Sequence, residues 1–132
     1  MAETIADFWP ENIGKTNLVT PVTLLKEEAS YLGPKTKQLV TAEVTTSTQP
    51  DGRFLHNFML VVPGLSNYKY SLFQVAHPIT LYPAQVYWQN VGIGVATQEN
   101  LVQKLQEIIA SDSTKKIVEA LLAQVSGPDA GA

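Results

Sequence analysis

The segment from Leu39 to Trp88 most strongly restricts how this chain can fold. It contains several short β-like runs with apolar residues on both alternating positions, and it holds most of the chain's aromatic residues. Runs rich in Val, Ile, Thr, Phe and Tyr favour β-strands, because these side chains pack well on a pleated surface. Both faces of the resulting sheet carry apolar side chains, so we expect the protein to cover both faces or to offer one to a partner.

Turn residues divide this segment into about four antiparallel strands. Proline and glycine within residues 49–52 and 63–67 mark two reversals, because proline presets φ and glycine accepts a positive φ. The four predicted strands are residues 39–46, 54–62, 68–76 and 79–88. Pro83 cannot donate a hydrogen bond to a neighbouring strand, which predicts that the fourth strand is an edge strand or carries a bulge. Residues 91–95 are either a short further strand or a loop.

Helical patterns flank the strands on both sides. Thr20 and Pro21 predict the start of the first helix, since threonine is a good N-cap and proline is tolerated in the first turn. Gly33-Pro34 predicts its end. Thr97 is the predicted cap of a second helix, and residues 111–113 separate that helix from a third. The C-terminal helices both carry aliphatic stripes at helical spacing.

These elements predict one α+β domain over residues 1–125. Its plan is an antiparallel meander of about four strands, preceded by one helix and followed by two C-terminal helices packed on the sheet. Residues 126–132 are small and polar, and we expect them to form a disordered tail.

Pairing the strands through their turns assigns the side chains to two faces. Centring the second reversal on Leu65 places Leu60 opposite Tyr70, and we place Thr48 opposite Arg53 across the first. This register predicts an aliphatic core face that comprises Val40, Ala42, Val44, Leu55, Met59, Val61, Phe73 and Val75. It also predicts a mixed face of aromatic and polar side chains. The candidate interaction residues on the mixed face are Phe54, His56, Phe58, Tyr68, Tyr70 and Gln74.

The mixed face has two interpretations. In the first, the first helix or the N-terminal Phe8-Trp9 pair covers it. In the second, its aromatic residues stay partly exposed and bind a partner or a second copy of the chain. Tyrosine suits such an interface, because it combines a large apolar area with a polar tip that also meets water.

The inventory of reactive side chains gives no catalytic, cofactor or metal site. The chain has no cysteine, which excludes disulfides and thiolate chemistry. Under the proposed register His56 and His77 lie on opposite faces, so they do not form a metal pair. An enzymatic function requires His56 beside a carboxylate, and Thr45 opposite with Glu43 diagonally nearby are the groups available to it. The Gly92–Thr97 stretch resembles a dinucleotide loop but lacks the third glycine.

Composition restricts the partners and the location. A net charge of −3 and a pI near 5.3 argue against a nucleic-acid partner. No apolar run approaches the roughly 20 residues that span a membrane. The N-terminal residues are acidic and lack the basic flank and apolar run of a secretory signal, so we expect a cytoplasmic location.

These observations predict a non-catalytic interaction or accessory domain. Its partner is another protein or a second copy of itself, bound through the aromatic sheet face. The alternative is a small-molecule-binding module with an aromatic-lined pocket between sheet and helices, in which His56, Tyr68, Tyr70 and Gln74 supply the polar contacts.

Overall fold

One helix precedes a five-stranded antiparallel sheet, and two helices follow it. The computed structural model describes residues 5–14 and 16–131, and the side-chain surroundings of these residues as far as Ser126. The elements are α1 (Pro21–Lys35), β1 (Thr41–Thr48), β2 (Phe54–Val62), β3 (Tyr68–His77), β4 (Ala84–Trp88), β5 (Val91–Val95), α2 (Gln98–Ile109) and α3 (Asp112–Gly131). A 3-10 turn, Pro63–Leu65, joins β2 to β3. The predicted α+β plan is confirmed, with five strands rather than about four.

The strands pair in sequence order, β1-β2-β3-β4-β5, so β1 and β5 are the edges. The predicted fourth strand begins only at Ala84, immediately after Pro83, and it pairs on both sides. The prediction that Pro83 lies within an edge or bulged strand is therefore wrong. Residues 91–95 form the fifth strand. Gln89 and Asn90 make the tight turn before it, with positive φ angles of 52° and 65°.

Local side chains define both ends of α1. Thr20 caps its start by accepting a hydrogen bond from the Thr23 amide at 3.2 Å, as predicted. The helix ends at Lys35 rather than at Gly33, because the left-handed residues that reverse the chain are Lys37 and Gln38. Gly33 instead provides space, since a Cβ there would lie 2.5 Å from the Gln38 side chain.

The first hairpin is shifted by one residue from the predicted register. Thr48 pairs with Phe54 and not with Arg53. The loop is closed by the Gln49 amide, which donates to the Arg53 carbonyl at 2.7 Å, and Gly52 has the expected positive φ. A loop that includes Arg53 moves every β1 partner along by one position, which exchanges the two faces of β1 relative to β2.

A β-bulge in β3 interrupts the second hairpin. Near the turn, Leu60 pairs with Tyr70 as predicted. Further along, Phe58 pairs with Phe73 rather than with Leu72, so Leu72 is the extra residue. Both Leu72 and Phe73 are buried. Beyond the bulge, each β3 side chain therefore lies, relative to the β2 side chains, on the opposite face of the sheet from the one that the predicted register gives it.

Because of these two shifts, the core face combines residues from both predicted faces. From the predicted aliphatic face it keeps Val40, Ala42, Val44, Phe73 and Val75, which are buried or packed against the core. From the predicted mixed face it takes His56, Phe58, Leu60, Val62 and Leu72, which are all buried. Leu55 and Met59, which we predicted for the core, are half-buried and alternate onto the other face.

The helices cover one face of the sheet, which gives a two-layer domain. Leu25 of α1, Leu101 and Ile108 of α2, and Leu121 of α3 belong to the same buried cluster as the strand residues. The other face is polar near β1 and β3. There the Lys69 ammonium forms a 2.9 Å ion pair with Glu43.

At the two ends of the chain, the C-terminal residues are helical where we predict a tail, and the described N-terminal residues do not pack on the sheet. Helix α3 is assigned as far as Gly131, through most of the residues 126–132 that we predict to be a tail, and Ala132 lies outside the described residues. The domain limit at residue 125 stays a prediction. At the other end, residues 5–14, here called the N-terminal arm, are exposed throughout. Phe8 and Trp9 therefore do not cover the sheet of their own chain.

Leu25 is fully buried at the contact between α1 and the sheet, so its truncation tests this packing. We expect Leu25→Ala to lower the free energy of unfolding by about 2–5 kcal/mol, because the substitution leaves a cavity. The matched control is Leu18→Ala, whose side chain is exposed, with an expected change within about 0.5 kcal/mol. Urea denaturation followed by circular dichroism measures both. Equal effects in the two variants contradict the described packing.

Candidate functional site

A cleft opens between α1, the sheet and the corner where α2 meets α3. Its volume is about 350 Å³, which is within the usual range of ligand pockets. The cleft walls are mainly apolar, and α1, the sheet and the α2–α3 corner each contribute to them. The apolar wall residues are Leu32, Phe58, Leu60, Leu72, Ile109, Ala110 and Val118.

The corner between α2 and α3 supplies the two hydroxyl groups in the cleft wall. Ser111 caps α3, because its Oγ accepts from the Thr114 amide at 3.2 Å. The Thr114 hydroxyl donates to the Ile108 carbonyl at 2.7 Å, and so does the Ser111 hydroxyl. Both hydroxyl protons are therefore used within the corner. The corner is fixed by these bonds, and the cleft presents mainly hydrocarbon to an occupant.

Among the described residues, the charged groups that line the cleft are all exposed, and they are called its rim here. Glu28, Lys115 and Glu119 line it, and all three are exposed. A charged residue at the rim keeps its hydration while an apolar group enters the interior, so its desolvation cost stays small. The rim carries both signs of charge and therefore does not select strongly for an anion or a cation.

A second, more polar cavity of about 250 Å³ lies on the other side of Leu72. Tyr70 and Trp88 line it together with residues from the start of α3. Tyr70 is 36% exposed and Tyr68, two residues earlier on β3, is 48% exposed. The two cavities share Leu72 as a wall residue, and exposed tyrosine lies beside the second.

The other cluster of reactive groups is a buried pair of histidines. His56 and His77 are 3% and 4% exposed, and their Nε2 atoms are 2.7 Å apart. The prediction that they lie on opposite faces is wrong, because the bulge at Leu72 moves His77 to the face of His56. Phe54 lies over His77, with ring centroids 5.5 Å apart.

Hydrogen bonds determine which ring nitrogen carries each proton. His77 Nδ1 lies 2.7 Å from the Pro78 carbonyl, which can only accept, so Nδ1 is protonated. In a neutral pair His77 Nε2 then accepts from His56 Nε2, and His56 Nδ1 accepts from the Thr46 hydroxyl at 2.8 Å. Every ring nitrogen has a partner, and neither ring needs a charge.

Burial opposes protonation of His56. Burial first, and then the nearby His77 ring and Lys26 ammonium, lower the pKa of His56 from 6.5 to about 4. A general base near neutral pH needs a pKa closer to 7. Thr46 takes the position that we predicted for Thr45, and among the described residues no carboxylate is hydrogen-bonded to either ring. The pair is therefore a hydrogen-bonded polar element of the core, and His56 has a pKa too low for a general base near neutral pH.

The six candidate interaction residues fall into four places. His56 and Phe58 are buried in the core, where Phe58 also forms part of the cleft wall. Phe54 is half-buried against His77. Tyr68 and Tyr70 are exposed at the start of β3. Gln74 lies on the opposite face of the sheet, where it pairs with Asn57 and Tyr87. The six do not share one exposed face, and their role in binding stays a prediction.

The helical residues of the cleft were not identified from the sequence. Leu32, Ile109 and Val118 belong to apolar stripes, and such stripes predict core residues rather than a binding site. The nearest sequence signal is the break at residues 111–113, which sets the corner between α2 and α3. The angle of that corner, which leaves the cleft open, depends on tertiary packing.

Comparison with protein families, with curated proteins and with solved structures finds no match for this chain. Among the described residues, no helix has both the length and the apolar character needed to cross a bilayer. Within the same part of the chain, no three acidic or histidine side chains converge as metal ligands.

The buried histidine pair predicts a pH-dependent stability. The folded pKa of His56, about 4, lies below its ordinary value of 6.5, so the unfolded chain binds a proton more readily. We therefore expect stability to be full above pH 6.5 and to fall as the pH drops towards 4. The loss assigned to His56 is on the order of 2 kcal/mol at the acidic end of this window.

Chemical denaturation of wild type and His56→Gln across that window measures this contribution. The glutamine amide can still donate to His77 but does not titrate, so the variant should lose less stability on acidification. Carboxylates titrate equally in both proteins and cancel in the difference. Parallel curves for the two proteins are inconsistent with a depressed pKa at His56.

Proposed function

We propose that this protein is a non-catalytic binding domain that takes up apolar side chains of a protein partner in the cleft. The observation that carries the proposal is the chemistry of the cleft: hydrocarbon walls, hydroxyl protons bonded internally, and charges confined to an exposed rim. A group that binds there gains from leaving water without displacing any strong internal hydrogen bond.

The exposed tyrosines beside the cleft favour a protein as the partner. Leu72 lines both cavities, Tyr70 lines the second one, and Tyr68 is exposed two residues earlier on β3. A protein interface typically combines an anchor in a pocket with aromatic contacts around it. This arrangement replaces the flat aromatic sheet face of the sequence prediction, while keeping Phe58, Tyr68 and Tyr70 in the binding surface.

The second candidate function is the binding of a small molecule in the same cleft. The cleft volume of about 350 Å³ favours it, since drug-sized ligands occupy pockets of this size. In both functions the occupant is apolar, and neither involves nucleic acid or a membrane. We propose that the protein acts in the cytoplasm, which is compatible with its light, net acidic charge.

Filling the cleft from its mouth tests the site without disturbing the core. Ala110 is exposed and lines the cleft, so Ala110→Trp places an indole at the entrance. We expect the fluorescent dye anilinonaphthalene sulfonate, whose aromatic rings bind apolar surfaces, to bind this variant about tenfold more weakly than wild type, equivalent to about 1.4 kcal/mol. Ala120→Trp is the matched control, because Ala120 is exposed on α3 and does not line the cleft. It should bind the dye as wild type does.

Selection of displayed random peptides on the wild-type protein separates the two functions. A protein-binding cleft enriches peptides with aromatic or aliphatic anchors, which bind wild type and Ala120→Trp but not Ala110→Trp. If no peptide is enriched while a metabolite raises the melting temperature of wild type alone, the small-molecule function is correct instead. Equal dye and peptide binding by all three proteins contradicts any function of the cleft.

A further inference from the structure

The N-terminal arm carries apolar side chains that the rest of the chain does not bury. Phe8 is 86% exposed and Trp9 is 72% exposed, and Ile5 and Ile13 are exposed as well. Aromatic residues are the most costly to leave in water because of their large apolar area. So many large apolar side chains in one short exposed segment mark an interaction site.

The arm has local structure that presents the two aromatic residues. The Trp9 amide donates to the Asp7 carboxylate at 2.9 Å, and the Ile13 amide donates to the Pro10 carbonyl at 3.2 Å. Pro10 also fixes the backbone immediately after Trp9. These features reduce the conformational freedom that the arm loses on binding, which makes it a better ligand than an unstructured peptide.

We infer that the arm of one copy of this chain docks into the cleft of a second copy, so that the protein is an arm-exchanged homodimer. The inference rests on the proposed function, because it uses the same cleft, and it names the partner as the chain itself. The structure contains both halves of the contact, which are an exposed apolar segment and an apolar cleft open to solvent.

The dimensions permit this exchange. The chain between Trp9 and Pro21 spans up to about 40 Å when extended, whereas a domain of this size has a radius of gyration of about 14 Å. The arm can therefore reach a cleft on a neighbouring molecule. Among the described residues, none of the arm lines the cleft of its own chain, which is consistent with exchange between copies.

The apolar area is sufficient for a dimer. Burial of one aromatic side chain removes roughly 150–250 Å² from water, so Phe8 and Trp9 from two arms contribute roughly 600–1,000 Å². Stable interfaces bury about 1,200–2,000 Å² in total, and the cleft walls, Ile5 and Ile13 supply further area. Reciprocal exchange also obeys the two-fold symmetry of most homodimers. Once one arm is bound, the second docks at a high effective concentration.

Sedimentation of the full chain and its variants tests the inference. Wild type should show a mass that is twice the 14.4 kDa of the chain, falling to the monomer mass on dilution. The double variant Phe8→Ser with Trp9→Ser lacks the arm's anchors, and Ala110→Trp lacks an open cleft. Both should sediment as monomers at concentrations at which wild type is a dimer. Ile79→Ser, which removes an apolar side chain of similar exposure outside the arm, should remain a dimer.

Mixing the two monomeric variants identifies the contact. The arm variant retains a cleft and the cleft variant retains an arm, so an equimolar mixture should form a dimer held by a single docked arm. Its affinity should be at least about tenfold weaker than that of wild type, because one of the two contacts is missing. A monomeric mixture, or an arm variant that stays dimeric, overturns the inference.

Trp9 fluorescence in a Trp88→Phe background distinguishes exchange from closure within one chain. In the dimer the Trp9 emission should shift to shorter wavelength and return to the solvent-exposed value on dilution. A short-wavelength emission that persists at the monomer mass shows that the arm occupies its own cleft, which overturns the exchange.

The dye assay separates failure of this inference from failure of the proposed function. If the arm is the occupant, the arm variant should bind anilinonaphthalene sulfonate more tightly than wild type does. If wild type is monomeric while Ala110→Trp still loses dye binding, the exchange is wrong and the cleft remains a binding site. If Ala110→Trp changes neither the mass nor dye binding, both proposals are wrong.

Discussion

The bulge at Leu72 is the constraint on which the rest of the structure depends. It places one residue more on β3 than on β2, so that Leu72 and Phe73 both enter the core. Without the bulge, Phe73 and Val75 would point away from the helices, and the core would lose its central aromatic contact, the stacked rings of Phe58 and Phe73. The same shift moves His77 to the face of His56. Two residues that would otherwise lie on opposite faces of the sheet thereby form a hydrogen-bonded pair.

The cleft is a consequence of how three rigid parts meet around this bulge. Leu72, the bulged residue, forms its floor together with Phe58 and Leu60. The α2–α3 corner is held by two hydroxyl groups that bond the Ile108 carbonyl, so it does not collapse onto the sheet. Helix α1 closes the remaining side. Each part is fixed by its own hydrogen bonds or packing, which leaves a gap between them that no side chain of the described residues fills.

The sequence predicted the elements well because their signals are local. The cap at Thr20, the positive φ of Gly52 and the aliphatic stripes of the last two helices each depend on neighbouring residues only. The faces of the sheet were not predictable in the same way. The bulge at Leu72 does not use glycine or another residue that would mark it in the sequence. A one-residue shift that cannot be seen in the sequence still exchanges the two faces of the strand. The cleft was missed for a related reason, since its walls have the composition of a core.

Every strand of the sheet pairs only with its neighbours in sequence. The chain can therefore build the sheet one hairpin at a time, and each step closes a short loop whose entropic cost is small. Proteins dominated by such local pairings fold faster than those in which distant strands must meet. The slow step is then expected to be the closure of the helical layer, when α1 and the C-terminal helices meet over strands that are already paired. In a meander of this kind the inner strands β2, β3 and β4 spend little time unpaired in water, which limits the opportunity for aggregation during folding.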